Sequence, residues 1–168
     1  MPTFLIEKNI MVPLRDGVQL ATDVYRLHDA PPAPVLIART PYNKEGILGG
    51  SDTFDIMRAV QAGYVVVVQD VRGRYDSEGA FSPHFQETAD GVDAFAWAAA
   101  QPWSSGVVGA FGGSYLGGTQ WLPARENPAA LRAMAPSIAA SDSYDGCSYQ
   151  GGAKVLHVDS IIKGVIGN

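Results

Sequence analysis

Val107-Val108-Gly109-Ala110-Phe111-Gly112-Gly113-Ser114-Tyr115-Leu116-Gly117-Gly118 is the stretch whose reading decides the fold. An apolar strand, Val107 to Phe111, runs through two glycines into a serine, and helix-type sequence from Ser114 to Arg125 follows at once. Strand, sharp turn and helix in direct succession make a nucleophile elbow: the turn is crowded, glycines relieve the crowding, and the serine stands clear of the sheet edge. The helix start behind it offers unpaired N–H groups, of which that of Tyr115 can hold an oxyanion. The general motif is G-x-S-x-G, whereas here the second glycine, Gly117, comes one residue late. Two other readings fit the same residues. Ser114 could simply cap a helix. Gly112 to Thr119 also resembles a phosphate cradle, but Gly118 stands where that cradle needs a lysine.

Moving outward, the same alternation recurs. Ile10 to Pro13 and Val18 to Arg26 read as strands joined at Asp16-Gly17, a hairpin signal. Val35 to Ala38 and Val65 to Val68 are continuous apolar runs, as expected of strands buried on both faces of a parallel sheet. Between them, Phe54, Met57 and Val60 have helical spacing within Asp52 to Ala62, and Gly63 supplies the stop. Glu87 to Ala100 reads as a second helix, and Leu131 to Ala135 as a strand closed by Pro136. A hairpin followed by strands alternating with helices predicts an α/β fold with a mostly parallel sheet. Ligands bind beyond the carboxyl ends of such strands, where the loops after Ala38, Asp70 and Phe111 gather. Asp70, Arg72 and Asp76 lie on one of those loops, and their spacing suggests an ion pair pinning it.

The bulk properties narrow the function. The 168 residues fit one domain, with 46% hydrophobic and 17% charged residues and a formal charge of −5. No Lys/Arg run marks a nucleic-acid or anionic-membrane surface. No stretch approaches the length of about 18 apolar residues that a transmembrane helix needs. The single cysteine, Cys147, cannot form an intrachain disulfide, which suits a reducing, cytoplasmic location. No Cys/His cluster has zinc spacing, and the expected chemistry uses no metal or organic cofactor.

Several separated segments fit one family. Val12 to Val18, Arg39-Thr40-Pro41-Tyr42-Asn43-Lys44, Gln69-Asp70-Val71-Arg72-Gly73, the elbow with its late Gly117, and Ala135-Pro136-Ser137 occur in the order and spacing of the cocaine-esterase-like (CocE/NonD) hydrolases. The chain resembles these enzymes, which are related to Xaa-Pro dipeptidyl-peptidases and α-amino-acid ester hydrolases. The resemblance implies an α/β-hydrolase fold and cleavage of a small ester or peptide substrate. It implies that Ser114 is the acyl-accepting nucleophile, that the Tyr42 hydroxyl is one oxyanion donor and that the Tyr115 backbone N–H is the other.

A serine nucleophile needs a base and an orienting acid, which follow it in α/β-hydrolase chain order. His28 and His84 precede Ser114 in Pro-containing loops and read as solvated. His157 follows it, but no strand pair separates it from Ser137, so it is not expected to be catalytic. Residues 1–136 are read as the N-terminal part of the hydrolase domain. Residues 137–168 are read as the start of a helical cap, with Val155, Val158, Ile161 and Ile162 at helical spacing. The chain is thus expected to be truncated after the nucleophile half, with acid and histidine beyond Asn168. The Leu131–Ala135 strand would then leave an open edge through which copies self-associate. A non-catalytic interaction domain is the alternative function.

Overall fold

The computed structural model describes residues 3–46, 54–140, 142, 144–156, 160 and 164. The amino end is an antiparallel hairpin of β1 (Phe4–Pro13) and β2 (Gln19–Leu27). Its turn closes as the Asp-Gly signal requires. Leu14 N–H donates to the Val18 carbonyl at 2.9 Å, and Gly17 takes φ +87°. β1 starts six residues earlier than its apolar run suggests, because a bulge between Glu7 and Ile10 breaks the alternation. Asn9 in the bulge has φ 53°, and its N–H donates to Asp23 Oδ1 at 2.9 Å.

After the hairpin come β3 (Ala33–Thr40), α1 (Ile56–Gln61), β4 (Val65–Asp70), α2 (Glu87–Ala99), β5 (Ser104–Gly113), α3 (Tyr115–Ala124) and β6 (Leu131–Ser137). The sheet order is β1-β2-β4-β3-β5-β6. β3 pairs in parallel with both β4 and β5, and β5 in parallel with β6. β2 joins antiparallel to β4. This is the mixed, mostly parallel sheet expected from the sequence, and β6 is the mostly exposed outer strand.

Two apolar layers hold the sheet. On one face Ala94, Phe95 and Ala98 of α2 pack on Val35, Ile37, Val65, Val67, Val108 and Ala110. On the other, Ile56 and Val60 of α1 pack on Ala38, Val66, Val68 and Phe111. Val66, Val67 and Val68 are wholly buried, so the run of valines reflects two covered faces. α1 is shorter than the Asp52–Ala62 expectation. Asp55 caps it by accepting from Arg58 N–H at 2.9 Å, and Gly63 ends it at φ +92°.

The strand order creates the place for a site. The crossover through α1 carries the chain from β3 to one neighbour, β4. The crossover through α2 brings it back past β3 to the other neighbour, β5. Successive crossovers thus diverge between β3 and β5, and a crevice opens beyond their carboxyl ends.

Beyond β6 a two-stranded hairpin of β7 (Tyr149–Gln150) and β8 (Ala153–Lys154) was not legible in the sequence. Tyr144 stacks on Tyr149 beside it, with ring centroids 4.5 Å apart. Leu156, Ser160 and Gly164 are helical, and Ser160 Oγ donates to the Leu156 carbonyl at 3.0 Å. Val158, Ile161, Ile162 and His157 lie outside the described residues. Among the described residues no helix is long and apolar enough to cross a membrane.

Candidate active site

Ser114 sits between β5 and α3 with φ 57° and ψ −122°, a conformation that L-residues rarely adopt. Its side chain makes no capping hydrogen bond and is exposed. A plain helix cap would show extended backbone and a bonded hydroxyl, so the capping account of Ser114 fails here. The strained turn is fixed from the next strand, because Ser114 N–H donates to the Ser137 carbonyl at 2.9 Å. Two glycines make room for it. Gly112 has φ +128°, and a Cβ there would lie 2.6 Å from Leu116 Cβ. A Cβ on Gly117 would collide with the side chain of Ala139. The late glycine of the motif is therefore a packing requirement between α3 and the segment after β6.

Tyr42 lies on the loop after β3, directly across the crevice. Its hydroxyl is 3.3 Å from Ser114 Oγ, within hydrogen-bond reach. The loop is held at both sides of the tyrosine. Tyr42 N–H donates to Thr40 Oγ1 at 3.0 Å, and Lys44 N–H donates to Asp70 Oδ1 at 2.7 Å. The Tyr42 ring meets the Tyr115 ring edge-on, with centroids 6.5 Å apart at 75°. Tyr42 thus lies beside both Ser114 and the Tyr115 ring. Tyr115 is the first residue of α3, so its amide has no carbonyl partner four residues earlier inside the helix.

The family follows from the sequence matched across this architecture. The X-Pro dipeptidyl-peptidase (S15) family pattern matches residues 16–162. The chain belongs to that family. It is 44% identical over 161 residues to the cocaine esterase of Rhodococcus sp. (strain MB1 Bresler), covering 95% of this chain and 28% of the relative. A CocE/NonD family hydrolase from Staphylococcus aureus superposes with a TM-score of 0.81 at 32% identity, covering 90% of this chain and 30% of that one. An α-amino acid ester hydrolase superposes with a TM-score of 0.80 at 27% identity, covering 98% and 30% respectively. The chain therefore spans under a third of the length of each of these relatives, and an α/β-hydrolase fold is common to them.

In this S15-family chain, charged groups under the site form three clusters that the sequence reading only partly anticipates. Asp70, Arg72 and Asp76 do not pair with one another. Asp70 and Asp76 instead flank the buried Lys44 Nζ, at 3.5 and 3.0 Å, with Asp23 at 4.0 Å. Burial alone would lower the Lys44 pKa, but the bond to Asp76 and the charges of Asp70, Asp23 and Asp76 outweigh it and raise it. Burial pushes the Asp70 carboxyl up to about 6, against the opposing pull of Lys44. Arg72 turns the other way. It grips Asp90 with two bonds of 2.9 and 2.7 Å and reaches Asp16 at 2.8 Å. Arg72 follows the strand end and faces α2, while Asp70 faces the Tyr42 loop, so the two cannot share a partner.

The third cluster was missed altogether. Arg39 and Glu87 are buried and paired at 2.8 Å. Arg39 Nε donates to Gln69 Oε1 at 2.9 Å, and Gln69 Nε2 donates to Thr22 Oγ1 at 2.9 Å. Register explains the row: Arg39 and Thr22 each lie opposite Gln69 on adjacent strands. The available signal was the polar residue that follows each apolar run of the two parallel strands, Arg39 after Ala38 and Gln69 after Val68. Tyr115 joins the row by donating its hydroxyl proton to Glu87 Oε1 at 3.0 Å.

His84 also departs from expectation. It is half-buried rather than solvated, with its ring stacked on Tyr115 at 4.6 Å, and burial lowers its pKa. His28 is exposed and pairs with Asp29 at 2.7 Å. Among the described residues no group of three or more His, Cys, Asp or Glu side chains could hold a metal ion.

Proposed function

We propose that the protein hydrolyses an ester or amide bond of a small molecule or peptide through an acyl-enzyme on Ser114. Ser114 Oγ attacks the substrate carbonyl carbon, and its proton passes to a general base. The developing oxyanion is held by the Tyr42 hydroxyl and the Tyr115 backbone N–H. Loss of one such donor slows related reactions by about 100- to 1,000-fold. The alcohol or amine leaves with that proton, and water then attacks the acyl-serine to release the acid. The base in this scheme is a histidine oriented by a carboxylate. His84 does not serve, because its ring is committed to the Tyr115 face.

The observation that carries this reading is the exposed Ser114 hydroxyl, on a backbone of φ 57°, 3.3 Å from the Tyr42 phenol. Strain of this kind survives only when the surroundings enforce it, and here they present a hydroxyl to the crevice. The ester-hydrolase names of the relatives and the peptidase name of the family support the same bond types. A fluorophosphonate probe followed by peptide mass spectrometry tests the proposal. The folded chain is expected to carry the label on Ser114 and Ser114→Ala to carry none. A label that persists in Ser114→Ala would favour the non-catalytic alternative, whereas a folded chain that stays unlabelled would show only that Ser114 lacks its base.

A further inference from the structure

The Tyr115 side chain is not needed for the oxyanion role assigned to its backbone, yet it is the most heavily tethered phenol near the site. Its ring is buried. Its hydroxyl donates to Glu87 Oε1 at 3.0 Å and accepts from His84 N–H at 3.0 Å. Glu87 is itself fixed by the buried Arg39 at 2.8 Å, and Arg39 by Gln69 across the sheet. The same ring also meets the Tyr42 ring edge-on. His84 and Phe81 close over it, at 4.6 and 6.1 Å.

One side chain therefore touches the supports of both oxyanion donors. Its own amide begins α3, and its ring backs Tyr42. We propose that the Tyr115 phenol is a positioning group for the oxyanion site, anchored through Glu87 and Arg39 to the sheet, so that it sets the distance between the Tyr42 hydroxyl and the helix-start amide. The phenol touches no substrate. It acts by removing the freedom of α3 to rotate and of Tyr42 to swing away, which pre-organises the donors before charge develops. Loss of the hydroxyl leaves Glu87 paired with Arg39 but frees the ring from its tether.

This inference rests on the acyl-enzyme reading, and the test separates the two. The variant is Tyr115→Phe, which keeps the amide, the ring and the Arg39–Glu87 pair. The chain is labelled with 15N-tyrosine, and the Tyr42 amide signal is identified by its loss in Tyr42→Phe. Fluorophosphonate labelling is followed at concentrations that separate the maximal rate from probe affinity, at a temperature where both proteins are folded. Tyr115→Phe is expected to lower the maximal labelling rate about tenfold or more, as small misplacements of a reacting geometry do. Probe affinity should hold, and the Tyr42 signal should shift. A lower rate with an unmoved Tyr42 signal also supports the proposal, through the amide alone. A wild-type rate with an unmoved Tyr42 signal overturns it, even if the variant melts earlier, because a purely structural tyrosine behaves that way. If the wild-type chain takes no label, or takes it elsewhere than on Ser114, the Tyr42 signal alone decides whether the clamp exists, apart from the acyl-enzyme reading.

Discussion

Asp70→Asn isolates the electrostatics beneath the Tyr42 loop. Asp70 is wholly buried at the end of β4, where its carboxylate accepts from Lys44 N–H and lies 3.5 Å from Lys44 Nζ. Glu45 and Tyr25 also lie in this neighbourhood, but Asp23, Asp70 and Asp76 are the carboxylates around the Lys44 ammonium. Burial lifts the Asp70 carboxyl from its ordinary 3.8 to about 6. A raised carboxyl favours the protonated form in the folded state. Its stabilising effect is complete below pH 3.8 and is lost as pH rises through about 6. The full difference corresponds to about 3 kcal/mol, of which roughly 2.5 kcal/mol falls between pH 4 and pH 7.5. Asparagine does not titrate, so the variant lacks this loss. Urea unfolding of both proteins from pH 4 to pH 8 measures the difference directly. Relative to wild type, Asp70→Asn should gain stability with rising pH, steeply near pH 5 to 6. A flat difference curve, or one that falls with pH, would refute the assignment whatever the offset between the two proteins.

Asp90→Asn leaves Arg72 with its two-bond partner neutralised at a side chain only 3% exposed, and a loss of about 3 kcal/mol in urea unfolding is expected. Gly117→Ala puts a methyl into Ala139. It should destabilise by about 1–3 kcal/mol, read as a lower Tm, with fluorophosphonate labelling reduced because the elbow shifts. Tyr42→Phe should slow Ser114 labelling by about 100-fold with unchanged thermal stability, since it removes one oxyanion donor. An unchanged labelling rate in that variant would remove Tyr42 from the oxyanion site.

Local pattern made much of this molecule readable. The valine run at 65–68, the Asp16-Gly17 turn and the Gly-Gly-Ser-Tyr junction each depend on neighbours in the chain, and each element lies where its pattern puts it. Errors cluster where distant residues intervene. The start of β1 was hidden because Asp23, on the facing strand, stabilises a bulge at Asn9 that interrupts the alternation. His84 is on a loop as expected but looked solvated until the start of α3 brought Tyr115 beneath its ring. Arg72 and Asp70 are two residues apart, yet they take partners from α2 and from the Tyr42 loop respectively.

By itself the sequence determined the order of strands and helices and the strand-to-helix turn carrying Ser114, because short-range sterics and apolar period govern these. Its likeness to known hydrolases named Tyr42. Only the tertiary structure decided that β3 and β5 lie side by side, which sets the 3.3 Å between Tyr42 and Ser114. It alone revealed the buried row from Thr22 through Gln69, Arg39 and Glu87 to Tyr115. Buried charges are tolerated only when partners from several strands and helices meet around them. Such a meeting is a property of register and packing, and no single stretch of chain encodes it.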